Sequence, residues 1–101
     1  MKFCTVINCM DGPAQLPVIR YMQKRFGAEY VDNITESGPV HIFDKVADLM
    51  VLNSIFTRVN ISVNHHASEA IAICAHTDCA GNPVEDDMQK RRIQKRFFQR
   101  L

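Results

Sequence analysis

The apolar positions of this chain switch repeatedly between a strand-like and a helix-like spacing. Phe3, Cys4, Val6 and Ile7 make residues 2–8 a short β-rich run that reads as a buried strand, and Gly12-Pro13 ends it. Over residues 15–26 the spacing lengthens. Leu16, Val18, Ile19, Met22 and Phe26 mark one helical face, Lys24 and Arg25 suit the negative end of the helix dipole, and Gly27 supplies a stop. Tyr30, Val31 and Ile34 place a second strand at 29–34, and residues 35–39 have loop composition. A helical pattern resumes at Asp44 with Val46, Leu49 and Met50. It is clearest at Leu52, Ile55, Phe56, Val59 and Val63, a stripe that predicts a core-facing helix ending at His65-His66-Ala67-Ser68. Residues 70–75 are apolar throughout, as in strands of a parallel sheet covered on both faces. Asn82, Pro83 and Glu85 then open a last helix, with Ile93, Phe97 and Leu101 on one side.

The order β-α-β-α-β-α predicts an α/β fold, a three-layer α-β-α arrangement around a short, mainly parallel sheet, in one domain spanning residues 1–101. Ligands of such sheets bind beyond the carboxyl ends of the strands. If the first and third strands are neighbours, the residues following each of them converge there.

Charge changes this picture little. A formal net charge of +1 offers no global attraction to a polyanion, so neither nucleic acid nor a membrane surface is expected as a partner. The basic run Lys90-Arg91-Arg92 with Lys95-Arg96 follows an acidic one and reads as a solvated helix face. No apolar run is long enough to span a bilayer, and the first residues are too soon interrupted by Asn8 and Asp11 for a signal peptide. The expected location is cytoplasmic, where the four cysteines are metal ligands, buried thiols or reactive thiols in preference to disulfides.

The chemistry gathers at two places. Cys9 and Asp11 follow the first strand; His76 and Cys79 follow the third. Zinc prefers thiolate and imidazole donors in a tetrahedral set, and catalytic sites use three protein ligands and keep one position for water. Cys9, His76 and Cys79 supply three, although buried thiols and a structural histidine would satisfy the same pattern. Asp11 reads either as a participant at the metal or as a cap on the following turn. Cys4 and Cys74 read as core residues, Asp78 as a turn residue, His41 as a surface residue, and His65 and His66 as solvated residues at a helix end.

Cys9-Met10-Asp11-Gly12 and Ala75-His76-Thr77-Asp78-Cys79-Ala80-Gly81 resemble the C-x-D-S-R and G-H-x-x-C-G motifs of β-class carbonic anhydrases. The order of elements between them matches as well, and the resemblance covers roughly residues 2–83. It implies a β-carbonic-anhydrase-like fold with Zn2+ held by Cys9, His76 and Cys79. In the family the motif Asp, here Asp11, is a catalytic residue that accepts a hydrogen bond from the zinc-bound water or ligates zinc itself. The implied reaction is the reversible hydration of CO2 to bicarbonate by zinc hydroxide, a lyase activity. A homodimer or higher homo-oligomer is also implied, and Phe97 and Phe98 read as packing against the domain or such a partner.

The departures matter. Gly12-Pro13 replaces the family's Ser-Arg, whose arginine pairs with the motif Asp and holds it away from the metal; Pro13 has neither charge nor donor. Ala75 replaces the glycine before His76, Ala80 precedes Gly81, Gly38-Pro39 replaces an Asn-containing turn, and the chain is far shorter than usual for the family. Whether the protein is an enzyme is therefore open. The alternative is a catalytically inactive zinc-binding structural or interaction protein; a third reading is a related hydrolase acting on a sulfur analogue of CO2.

Overall fold

The computed structural model describes residues 2–39, 42 and 49–75. The expected final helix, the basic run, and His41, His76, Asp78 and Cys79 lie outside the described residues. Within them the order is β1 (Phe3–Cys9), a 3-10 turn (Gly12–Ala14), α1 (Leu16–Phe26), β2 (Tyr30–Glu36), α2 (Leu49–His65) and β3 (Ile71–Ile73). The strands form one parallel sheet in the order β2-β1-β3. Thr5 pairs with Asp32 on one side of β1 and with Ile71 on the other, and Ile7 with Ile34 and Ile73. The first and third strands are thus neighbours, as the convergence of the two motifs requires.

Alternation along β1 explains the layers. Cys4 and Val6 face α1 and pack with Met22 and Ala28. Ile7 faces α2 and packs with Ile34, Leu52, Ile55 and Val59. Both faces of the central strand are therefore covered, and Cys4 is the core residue its position suggested. Gly27 ends α1 at φ 63°, the left-handed region where a Cβ is costly.

Several sequence expectations change. Leu16, assigned to the buried face of α1, is 59% exposed, because at 3.6 residues per turn it lies about 120° round the helix from the buried Met22. Thr35 and Glu36 belong to β2, not to the loop: the Met10 amide donates to the Glu36 carbonyl at 2.8 Å and so extends the pairing. Ile71 is 40% exposed, so β3 is not covered throughout. Cys74 is only partly buried, although it packs on the α1-side cluster.

The α2 stripe ends at Ser62, which is buried, while Val63 is exposed. The cause is polar. The Ser62 hydroxyl lies 2.6 Å from Thr5 Oγ1 and donates to Asp32 Oδ2 at 2.6 Å; Ser68 Oγ lies 2.6 Å from Thr5 Oγ1 on its other side. A carboxylate only accepts, so Ser62 donates to Asp32 and Thr5 donates to Ser62, while the Ser68 hydroxyl also donates to the Ala70 carbonyl at 3.1 Å. His66 Nδ1 adds a second contact to Asp32 Oδ2 at 2.6 Å, and its ring stacks on Phe3 with centroids 4.6 Å apart. His66 is therefore not a merely solvated helix end: it fastens α2 to the first two strands. The helix closes with Ala67 in the left-handed region at φ 56°, its following amide on Ser68 donating to the Ser62 carbonyl at 3.2 Å.

Candidate metal centre

Cys9 is the last residue of β1 and only 1% exposed. Its backbone is held on both sides. Its own N–H donates to Asn8 Oδ1 at 2.9 Å, and its carbonyl accepts from Gln15 Nε2 at 2.6 Å. Asn8 is fully buried; its Nδ2 donates to the Ala14 carbonyl at 2.8 Å and so ties the strand end to the 3-10 turn. The local sequence explains the turn. Gly12 has no atom within 4 Å of the place a Cβ would take, and Pro13 sits at the start of the turn, where a missing N–H costs nothing.

Asp11 occupies the cap position of that turn, as one sequence reading had it, but its side chain makes no cap hydrogen bond there. Its backbone carbonyl does the work, accepting from the Ala14 amide at 3.0 Å and from Gln15 Nε2 at 3.3 Å. Asp11 is half-buried, between the buried Cys9 and the exposed Gly12.

Two neighbouring strands shape the surroundings. Glu36, the register partner of Cys9 on β2, forms an ion pair with Arg58 of α2. On the other side, the Cys74 amide donates to the Ile7 carbonyl at 2.8 Å, which keeps the exit of β3 alongside β1. Burial pushes the Cys74 thiol above its ordinary range, and the nearby Cys9 thiol pushes the same way.

The structure brings Cys9 and Asp11 to the carboxyl end of the central strand and sets β3 beside it, ending two residues before Ala75, which precedes His76 in sequence. His76 and Cys79 themselves lie outside the described residues. Among the described residues no three of His, Cys, Asp and Glu come together as a metal site. The donor types fit zinc: thiolate and imidazole are what it takes, and Cys9 has the fixed backbone that a ligand position needs.

Sequence reasoning missed Asn8, Gln15 and Asn33, the amides that hold this end of β1. One signal was present. Asn8 is a polar residue inside an apolar strand, directly before Cys9, and a buried amide must find partners for several donors and acceptors.

A family model described as "Putative carbonic anhydrase" matches residues 1–98. No curated protein and no solved structure matches the chain. No helix among the described residues is long and apolar enough to cross a membrane.

Proposed function

Because the chain belongs to this carbonic anhydrase family, we propose that it binds zinc through Cys9, His76 and Cys79 and, when active, hydrates CO2 reversibly to bicarbonate. The observation that carries this reading is the pairing of β1 with β3. It puts the buried, backbone-anchored Cys9 beside the strand that leads to His76. Bound zinc would supply a water that ionises near neutral pH and polarise the substrate's oxygen.

The chain's own residues would do the rest. Cys9 holds one ligand position, with its backbone tied to Asn8 and Gln15. Asp11 is the residue that decides activity. If its carboxylate accepts a hydrogen bond from a water at the site, that water is oriented for attack. If instead it ligates the metal, the open position closes. Position 13 is a proline where the family motif has an arginine, and this favours the second reading: an inactive zinc protein whose metal is structural or whose surface binds a partner. The family also favours a homo-oligomer, to be tested by light scattering.

Metal analysis and stopped-flow CO2 hydration test both readings. Near-stoichiometric zinc in protein purified without chelator is expected, and Cys9→Ser should lose it. Less than this in the unaltered protein would remove the premise of both readings. With zinc bound, a hydration rate above buffer over roughly pH 7–9 supports the enzyme, and no such rate supports the inactive protein. Pro13→Arg should raise the rate, and an unchanged rate would rule out position 13 as the control.

A further inference from the structure

An amide relay holds the loop after β1, and the pattern of cysteines and histidines does not account for it. Gln15 stands at the start of α1, in the cap position, yet its side chain makes no cap hydrogen bond to the helix. It turns back instead. Nε2 donates to the Cys9 carbonyl at 2.6 Å and to the Asp11 carbonyl at 3.3 Å, which uses both of its hydrogens. Oε1 accepts from Asn33 Nδ2 on β2 at 3.0 Å. The direction of the relay is fixed, because carbonyls only accept: Nε2 must face β1 and Oε1 must face Asn33.

This grip is on the backbone of the two residues flanking Met10, and it leaves the Cys9 and Asp11 side chains out of the relay. The α1 core contacts run through Met22, Val18 and Phe26, so the packing of α1 on the sheet does not depend on Gln15. A side chain that gives up capping its own helix to hold two carbonyls of a neighbouring loop is placed for the geometry of that loop. Resting on the reading of Cys9 as a zinc ligand, we infer that Gln15 is a positioning residue for the metal centre. By fixing both carbonyls it fixes the directions in which the Cys9 thiolate and the Asp11 carboxylate leave the chain, and Asn33 anchors it.

Two variants separate donors from charge. Gln15→Met keeps the length of the side chain without polar atoms. Gln15→Glu keeps an acceptor for Asn33 but has no donor for the two carbonyls. In both, zinc affinity measured by competition with a chromophoric chelator is expected to fall about 10- to 100-fold, the range typical of outer-shell partners. The thiolate-to-metal bands of the cobalt-loaded protein should shift, and the urea midpoint of the metal-free protein should change little. Gln23→Met serves as the control. It loses a comparable bond, Nε2 to the Glu29 carbonyl at 3.0 Å, at the other end of α1, and should move neither zinc affinity nor the cobalt spectrum. Should the Gln15 variants fail to fold, Asn33→Ala carries the same test, because it removes only the anchor. Unaltered affinity and spectrum in the variants that fold, with Cys9→Ser abolishing zinc binding, would overturn the role of Gln15 while leaving Cys9 as a ligand. Equal losses in Gln15→Met and Gln23→Met would overturn it as well. A wild-type protein that takes up no zinc would overturn the metal reading, and this role with it.

Discussion

The two ends of the sheet carry polar networks built on opposite plans. At the carboxyl end, the side-chain amides of Asn8 and Gln15 grip the backbone around Cys9 and Asp11. Toward the amino end, the side chains of Thr5, Ser62, Ser68, Asp32 and His66 grip one another or each other's neighbours. The first plan fixes a loop and keeps the Cys9 and Asp11 side chains out of that grip. The second uses its functional groups on contacts between β1, β2 and the end of α2, so a serine, a histidine and an aspartate lie together as a fastening of the helix to the sheet. Ser62 donates to Asp32 directly, and the imidazole contacts the same carboxylate oxygen, so the histidine does not stand between serine and aspartate. Residue types alone would rank the second cluster as the more enzyme-like of the two. Hydrogen-bond direction reverses that ranking.

Substitutions at one end should therefore leave the other untouched. The largest expected effect is at the amino end. Asp32→Ala removes the acceptor of both Ser62 and His66 and leaves the buried Ser62 hydroxyl without its acceptor. A stability loss of about 2–4 kcal/mol in urea unfolding is expected, for two hydrogen bonds to a charged group. Zinc affinity per folded molecule should not change; a parallel loss of affinity would show that the two ends are coupled.

A smaller effect follows from pH. Burial raises the Cys4 thiol above its ordinary range, and the charge of Asp32 adds to the shift. In the unfolded chain the thiol ionises near pH ~8.5, whereas in the folded protein it stays protonated to higher pH. Between those limits the folded state binds more protons than the unfolded one, so stability is full below about pH 8.5 and falls above it, by at most about 1.4 kcal/mol per pH unit. Cys4→Val should lessen this alkaline fall. Asp32→Ala should lessen it too, by removing the second cause, and an identical slope in all three proteins would contradict the assignment.

The smallest effect is at the end of α2. Ala67→Gly relieves a left-handed residue that carries a Cβ. A gain of about 0.5–1 kcal/mol is expected, reduced by the greater freedom of glycine in the unfolded chain. A loss would mean that the backbone entropy outweighs the strain at this turn.

Much of this architecture was legible from spacing. The strand at Phe3–Cys9, the helix at Leu16–Phe26 with its glycine stop, and the stripe Leu52, Ile55 and Val59 follow from the period of apolar residues, because burying one face is what folds a chain of this size. Where the stripe failed, at Val63 against Ser62, the competing term was a hydrogen bond. A buried hydroxyl is tolerated when Thr5 and Asp32 satisfy it, and those partners lie 57 and 30 residues away. Leu16 failed for a different reason: it lies well round the helix from Val18 and Met22, and only the packing shows which side of a broad apolar face meets the sheet.

The metal-site candidates divide along the same line. The sequence by itself nominated the candidate donors, since Cys9, Asp11, His76 and Cys79 stand out by residue type, by their place after apolar runs, and by motif. It also determined the α/β class, which follows from alternating periods. Only the tertiary structure decided that β3 lies against β1, that Gln15 turns away from its own helix to hold the Cys9 and Asp11 carbonyls, and that His66 and Ser62 are tied to Asp32. The physical reason is range. Periodicity records how one element meets the core, whereas a side-chain amide or carboxylate acquires its partner only after distant segments have been packed within about 3 Å of each other.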